Sequence, residues 1–167
     1  TIEKIIFPTI QTPPGKMKVE NEKLVTDKLG VACCYFNPCN YLSRYINFIS
    51  FYQNILKYTD IELVVVESYS KDAKYRISKV CPSAISIESS EVYWQKEQLL
   101  NIGIEKLYND GYECIAWLDA DISFANKDWV TNSLDAIRKN KVVQLFDTCI
   151  KKIPNTYQYY RQKKRPR

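Results

Sequence analysis

The segment ECIAWLDADISFANKDW, residues 113–129, runs from apolar residues straight into two aspartates, Asp119 and Asp121, separated by one alanine. Side chains at i and i+2 of an extended segment project to the same side. Two carboxylates placed this way repel, and one would hold a proton, unless a cation lies between them. Mg²⁺ or Mn²⁺ suits such oxygen donors, because it keeps several waters and completes its coordination with substrate phosphates. An Asp-x-Asp triplet is short and frequent, so its position at the tip of an apolar run is what sets it apart from two solvated loop acids. Three other polar groups fall at comparable points: Asn37 after VACCYF, Glu67 at the end of IELVVVE, and Asp147 at the end of KVVQLFD. A single strand-terminal acid is commonly just solvated, whereas several on one rim could converge on a ligand.

These groups converge only if the runs before them are strands of one sheet. LGVACCYF (29–36) is short, apolar and rich in strand formers, and the turn NPCN follows it. YLSRYINFISFYQNILKY then places Leu42, Tyr45, Ile46, Ile49 and Phe48 or Tyr52 at helical spacing, with Asn40 available as a cap. The unit recurs, with strands expected at 61–68, 83–88, 113–119 and 141–147. Helices are expected over EVYWQKEQLLNIGIEKLYND, capped by Ser89 or Ser90 and ended by Gly111, and over KDWVTNSLDAIRKN. Nearly continuous apolar strands alternating with helices predict an α/β three-layer sandwich with a mainly parallel central sheet. Ligands of such sheets bind beyond the carboxyl ends of the strands. Residues 1–28, with Pro13, Pro14 and Gly15, read as an irregular leader, 29–150 as the core of a single domain, and 151–167 as a basic tail.

At 167 residues, 46% hydrophobic and 26% charged, the chain has the composition of one globular domain. The net charge of +5 is matched by the five basic residues Arg161, Lys163, Lys164, Arg165 and Arg167, so residues 1–160 are neutral and give no reason to expect nucleic acid as a partner. The tail, with Tyr157, Tyr159 and Tyr160, reads as a solvated charge run whose one alternative is weak contact with an anionic membrane surface. Six cysteines without a CxxC spacing, and no histidine, argue against structural zinc and for buried thiols in a reduced, cytoplasmic setting. No apolar run approaches the length that crosses a bilayer. Trp117 reads as core; Trp94 and Trp129 could pack in amphipathic helices or touch a base or sugar.

With these features the sequence resembles the nucleotide-diphospho-sugar transferases of the GT-A fold, whose metal-binding Asp-x-Asp follows a central strand. WQKEQLLNIGIEKLYNDGYECIAWLDADI (94–122) looks like the family stretch in which a helix with an Asn-x-Gly step leads into that strand. Its style is nearest to the β1,4-galactosyltransferase group and family 2 enzymes. VACCYFNPCNYL (31–42) looks like the first strand and nucleotide-binding loop, and ELVVVESYSKD (62–72) like the second strand with its acidic end. The resemblance implies a glycosyltransferase that takes a sugar from a nucleoside diphosphate sugar, UDP-linked, and passes it to an acceptor hydroxyl with Mn²⁺ or Mg²⁺. It implies that Glu67 meets the ribose or base, that Asp119 contacts ribose or metal, and that Asp121 is the principal metal ligand. Lys96 stands where related sequences often carry an arginine facing the donor, Asn101 is the Asn of the Asn-x-Gly step, and Gly103 would permit close helix packing. Asn37 falls at a nucleotide-loop position that is often basic in the galactosyltransferase group.

An inverting enzyme would also need a carboxylate base, for which Asp147 is the candidate because it ends a neighbouring strand. Many relatives take a further metal ligand, often histidine, and that base from a section after the fifth strand. Here there is no histidine, and only residues 148–167 follow Asp147. A domain that binds nucleotide sugar without turnover is therefore a second expectation, as is a fragment of a longer enzyme. A third is a haloacid-dehalogenase-like phosphatase, in which LDADIS would supply Asp119 as nucleophile and Asp121 as acid.

Overall fold

The computed structural model describes residues 5–8, 27–152 and 159–163. Its frame is a six-stranded sheet built from β1 (Ile5–Pro8), β2 (Leu29–Phe36), β3 (Ile61–Tyr69), β4 (Ile85–Glu88), β5 (Cys114–Leu118) and β6 (Val143–Gln144). Three helices accompany it: α1 (Leu42–Ile55), α2 (Lys96–Asn109) and α3 (Trp129–Ile137). The strand order is β4-β3-β2-β5-β1-β6, with β4, β3, β2 and β5 mutually parallel and β1 antiparallel to both of its neighbours. The expected mainly parallel α/β sandwich is the fold observed.

Strand alternation assigns the layers. Val31, Cys33 and Tyr35 of β2, Val65 of β3, and Ala116 and Leu118 of β5 join Phe48, Phe51 and Ile55 of α1 and Trp129, Val130 and Ile137 of α3 in one cluster. Ala32 and Ile115, from intervening positions, pack with Leu100 and Leu107 of α2 in another. Helices α1 and α3 thus cover one face and α2 the other. β2 is buried along nearly its whole length because it has strands on both edges and helices on both faces, which is why its sequence hardly alternates. Gly103 lets α2 come close, since a Cβ built there would lie 3.3 Å from the Ala32 methyl. Gly111, at φ 91°, ends α2 with Tyr112 N–H donating to the Leu107 carbonyl, as expected of a left-handed C-terminal glycine.

Several elements depart from the sequence reading. The leader, expected to be irregular, contributes β1, whose Ile6 and Phe7 register with Ala116 and Ile115 of β5. α1 buries Phe48, Phe51 and Ile55, while Leu42 and Ile46 lie more than half exposed; the face is turned because the Phe48 ring packs edge-on against Tyr35 at 5.3 Å. Asn40 does not cap α1. It takes a left-handed φ of 53° and its side-chain oxygen accepts from Lys74 N–H. α2 starts at Lys96, since the Ser89 hydroxyl accepts from Glu91 N–H and the Gln95 amide and so holds 89–95 as a non-helical segment. The fifth strand shrinks to the two residues of β6, which among the described residues pair only with β1. Of the tail, Tyr159–Lys163 forms strand β8 against β7 (Thr148–Lys152), with Arg161 and Lys163 on that strand; Tyr157, Lys164, Arg165 and Arg167 lie outside the described residues. All six cysteines are free thiols, and among the described residues no helix is long and apolar enough to cross a membrane.

Candidate functional site

From β2 the chain moves outward through α1 to β3 and on to β4, then returns through α2 to β5 on the other side of β2. That reversal opens a crevice between the carboxyl ends of β2 and β5, the place where open α/β sheets bind ligands. A cleft of about 370 Å³ occupies it. Its floor is the end of β2 at Cys34, Tyr35 and Phe36, and one wall is the tip of β5 at Asp119, Ala120 and Asp121. Trp94 and Lys96, where α2 begins, and Arg44 and Asn47, early in α1, complete the lining.

Both aspartates therefore face one cavity, though not by strand alternation. β5 ends at Leu118 and the backbone turns at Ala120 and Asp121, so the two aspartates reach the cleft from a turn beyond the strand. Asp119 is mostly shielded and its Oδ1 lies 2.5 Å from the Lys96 ammonium; Asp121 is exposed. Arg44 donates from Nη1 to the Phe36 carbonyl at 2.8 Å, which lays its guanidinium across the end of β2. Cys34 lies beneath these charges. Burial raises its thiol pKa, the Lys96 ammonium pulls it partly back and Asp119 raises it again, leaving it at about 12 and the thiol protonated.

The remaining expected site residues are placed otherwise. Asn37 is buried and committed to the turn after β2: its amide donates to the Tyr35 hydroxyl and the Tyr41 carbonyl, and its carbonyl accepts from Tyr41 N–H, each within 3.0 Å. Glu67, only 1% exposed, accepts from Ile77 N–H at 2.7 Å through one oxygen and from Ser86 and Arg76 through the other. Arg76 in turn stacks 3.2 Å over the Tyr69 ring. Asn37 and Glu67 both line a smaller hollow of about 50 Å³ next to the cleft, beyond the ends of β2 and β3. Asn101 is exposed on α2 and Asp147 is exposed just before β7; neither lines the cleft or the hollow. Trp129 is core, stacked on Phe124 at 4.0 Å, Trp117 packs against the α2 cluster, and Trp94 is largely exposed at the cleft mouth.

Reasoning from the sequence did not find Arg44 or Asn47. One signal was available: Arg44 and Lys96 are basic residues in the first turns of their helices, where the macrodipole disfavours a cation unless an anion lies opposite. The donor set also fits a hard divalent ion. Two carboxylates line an open cavity with room for waters and phosphate oxygens, the sparse protein coordination that Mg²⁺ and Mn²⁺ accept. Among the described residues no group of three or more histidine, cysteine or acidic side chains is gathered for a metal.

The family model described as Glycosyl transferase family 2 matches residues 31–167, from the first parallel strand through both aspartates. Neither comparison, with curated proteins or with solved structures, finds a match for the chain.

Proposed function

The chain belongs to glycosyl transferase family 2, and from that premise we propose that it moves a sugar from a UDP-sugar to an acceptor hydroxyl in the cleft between β2 and β5, with Mn²⁺ or Mg²⁺ held by Asp119 and Asp121. The observation that carries this reading is the meeting of those two carboxylates with Lys96 and Arg44 in one cavity at the sheet's reversal point. In the transfer, the bond from the anomeric carbon to the diphosphate oxygen breaks, a bond to the acceptor oxygen forms, and the acceptor's proton leaves. Negative charge gathers on the departing diphosphate. The bound ion would neutralise part of it, and would do so more strongly in the transition state than in the ground state. Lys96 and Arg44 bind the same phosphate oxygens from the two helix starts. Asn37 and Glu67 support the nucleoside side by shaping the hollow next to the cleft, Asn37 through the turn and Glu67 through Arg76 and the Ile77 backbone.

UDP with Mn²⁺ is expected to raise the melting temperature. A hundredfold excess over Kd contributes about 2.7 kcal/mol, a shift of roughly 5–10 °C at this chain length. Asp121→Ala should abolish the metal-dependent part. No shift with UDP, GDP or CDP would count against the reading. Donor sugars scored by release of free nucleotide, with and without acceptors, separate transfer from binding alone, and hydrolysis of a simple phosphate monoester would point to the phosphatase instead.

A further inference from the structure

We propose that Lys96 holds the cation's place on Asp119 in the absence of nucleotide and hands that carboxylate over when a nucleoside diphosphate arrives, so that metal and nucleotide bind as a coupled pair. The inference rests on the reading above. Lys96 Nζ is 2.5 Å from Asp119 Oδ1, with the two side chains 23% and 17% exposed, so the pair is shielded enough for its charges to matter. A divalent ion on the same carboxylate would meet the ammonium at close range, and the two cations repel. Lys96 is also the first residue of α2, where the helix dipole works against a positive charge. Its seat is favourable only while an anion faces it. Both groups line the cleft, so a diphosphate entering there offers the ammonium a second anion within reach of its flexible stem. Without nucleotide, the metal must displace a resident cation; with nucleotide, that cation has somewhere to go. By linkage, the factor by which nucleotide tightens metal is the factor by which metal tightens nucleotide.

The test titrates Mn²⁺ into the full chain, reading free Mn²⁺ by electron paramagnetic resonance, without and with saturating UDP, in the wild type, Lys96→Gln and Lys96→Arg. Loss of one charge-assisted contact corresponds to about a tenfold change in affinity. Lys96→Gln should therefore tighten Mn²⁺ alone about tenfold, weaken UDP in saturating Mn²⁺ by a similar factor, and shrink the coupling. Lys96→Arg keeps the charge and should bind Mn²⁺ alone as the wild type does. If Lys96→Gln leaves Mn²⁺ binding unchanged or weaker, or if Lys96→Arg tightens it as much as Lys96→Gln, the exchange is wrong while the donor site stands. If the wild type binds no UDP at any Mn²⁺ concentration, the functional reading itself falls and this inference with it.

Discussion

Glu67 separates the place of a residue from its job. It ends an apolar strand run as a ligand-binding acid would, yet its carboxylate turns inward and ties the Arg76 side chain, the Ile77 backbone and Ser86 of β4 to β3. A strand-terminal glutamate reads the same whether its oxygens meet a ligand or the protein's own donors, because those partners come from residues 9 to 19 positions further along the chain. Glu67→Ala should cost about 3 kcal/mol in urea unfolding, since it leaves a buried N–H and a partly buried guanidinium without their acceptor. Arg76→Ala should cost less, about 1 kcal/mol, because that side chain is partly solvated and loses mainly one ion pair and its stacking on Tyr69. Equal losses for the two would show that the Ile77 and Ser86 bonds contribute little. Arg44 was the opposite case, legible once a cation in a helix's first turn is treated as a question rather than as a solvated charge.

The Asn-x-Gly step of α2 divides at the scale of the element. Gly103 faces β2 so closely that an added Cβ would press on the Ala32 methyl at 3.3 Å, whereas Asn101, two residues earlier, is exposed on the same helix. The Ala32 methyl opposite Gly103 is carried by a strand hydrogen-bonded along both edges, so it cannot retreat from an added side chain. Gly103→Val should destabilise the chain by about 2–3 kcal/mol through overpacking, measured as a lowered urea midpoint, despite the entropy a glycine costs a helix. An unchanged midpoint would mean that α2 slides freely over the sheet. Because the start of α2 carries Lys96, and Trp94 stands just before it, the same substitution should also weaken nucleotide binding. The start of α2 itself was misplaced by five residues: serines at 89 and 90 look like caps, and only the contacts of Ser89 with Glu91 and Gln95 show that Ser89 organises a loop along the sheet's rim.

For the whole molecule, the decisive fact is the strand order. β1 pairs antiparallel with β5, the strand that carries the aspartates, and links it to β6. Deleting residues 1–8 would strip that edge and leave unpaired backbone groups beside β5. The expected result is a lower melting temperature and concentration-dependent association in size-exclusion chromatography; a monomer of unchanged stability would show that β1 is dispensable. Amino-acid order alone was enough to place the parallel strands, the helices between them, the glycine that ends α2 and the acid pair at the tip of β5, because apolar runs, helical periodicity and turn residues record local conformation and burial. It did not reveal that a leader strand joins the sheet, that α1 packs on its aromatic stripe, that Glu67 is spent on internal bonds, or that an arginine joins Lys96, Asp119 and Asp121 in the cavity. Those are pairings between residues far apart in the chain, and a side chain's type states what it can bind without stating which partner the folded chain brings to it.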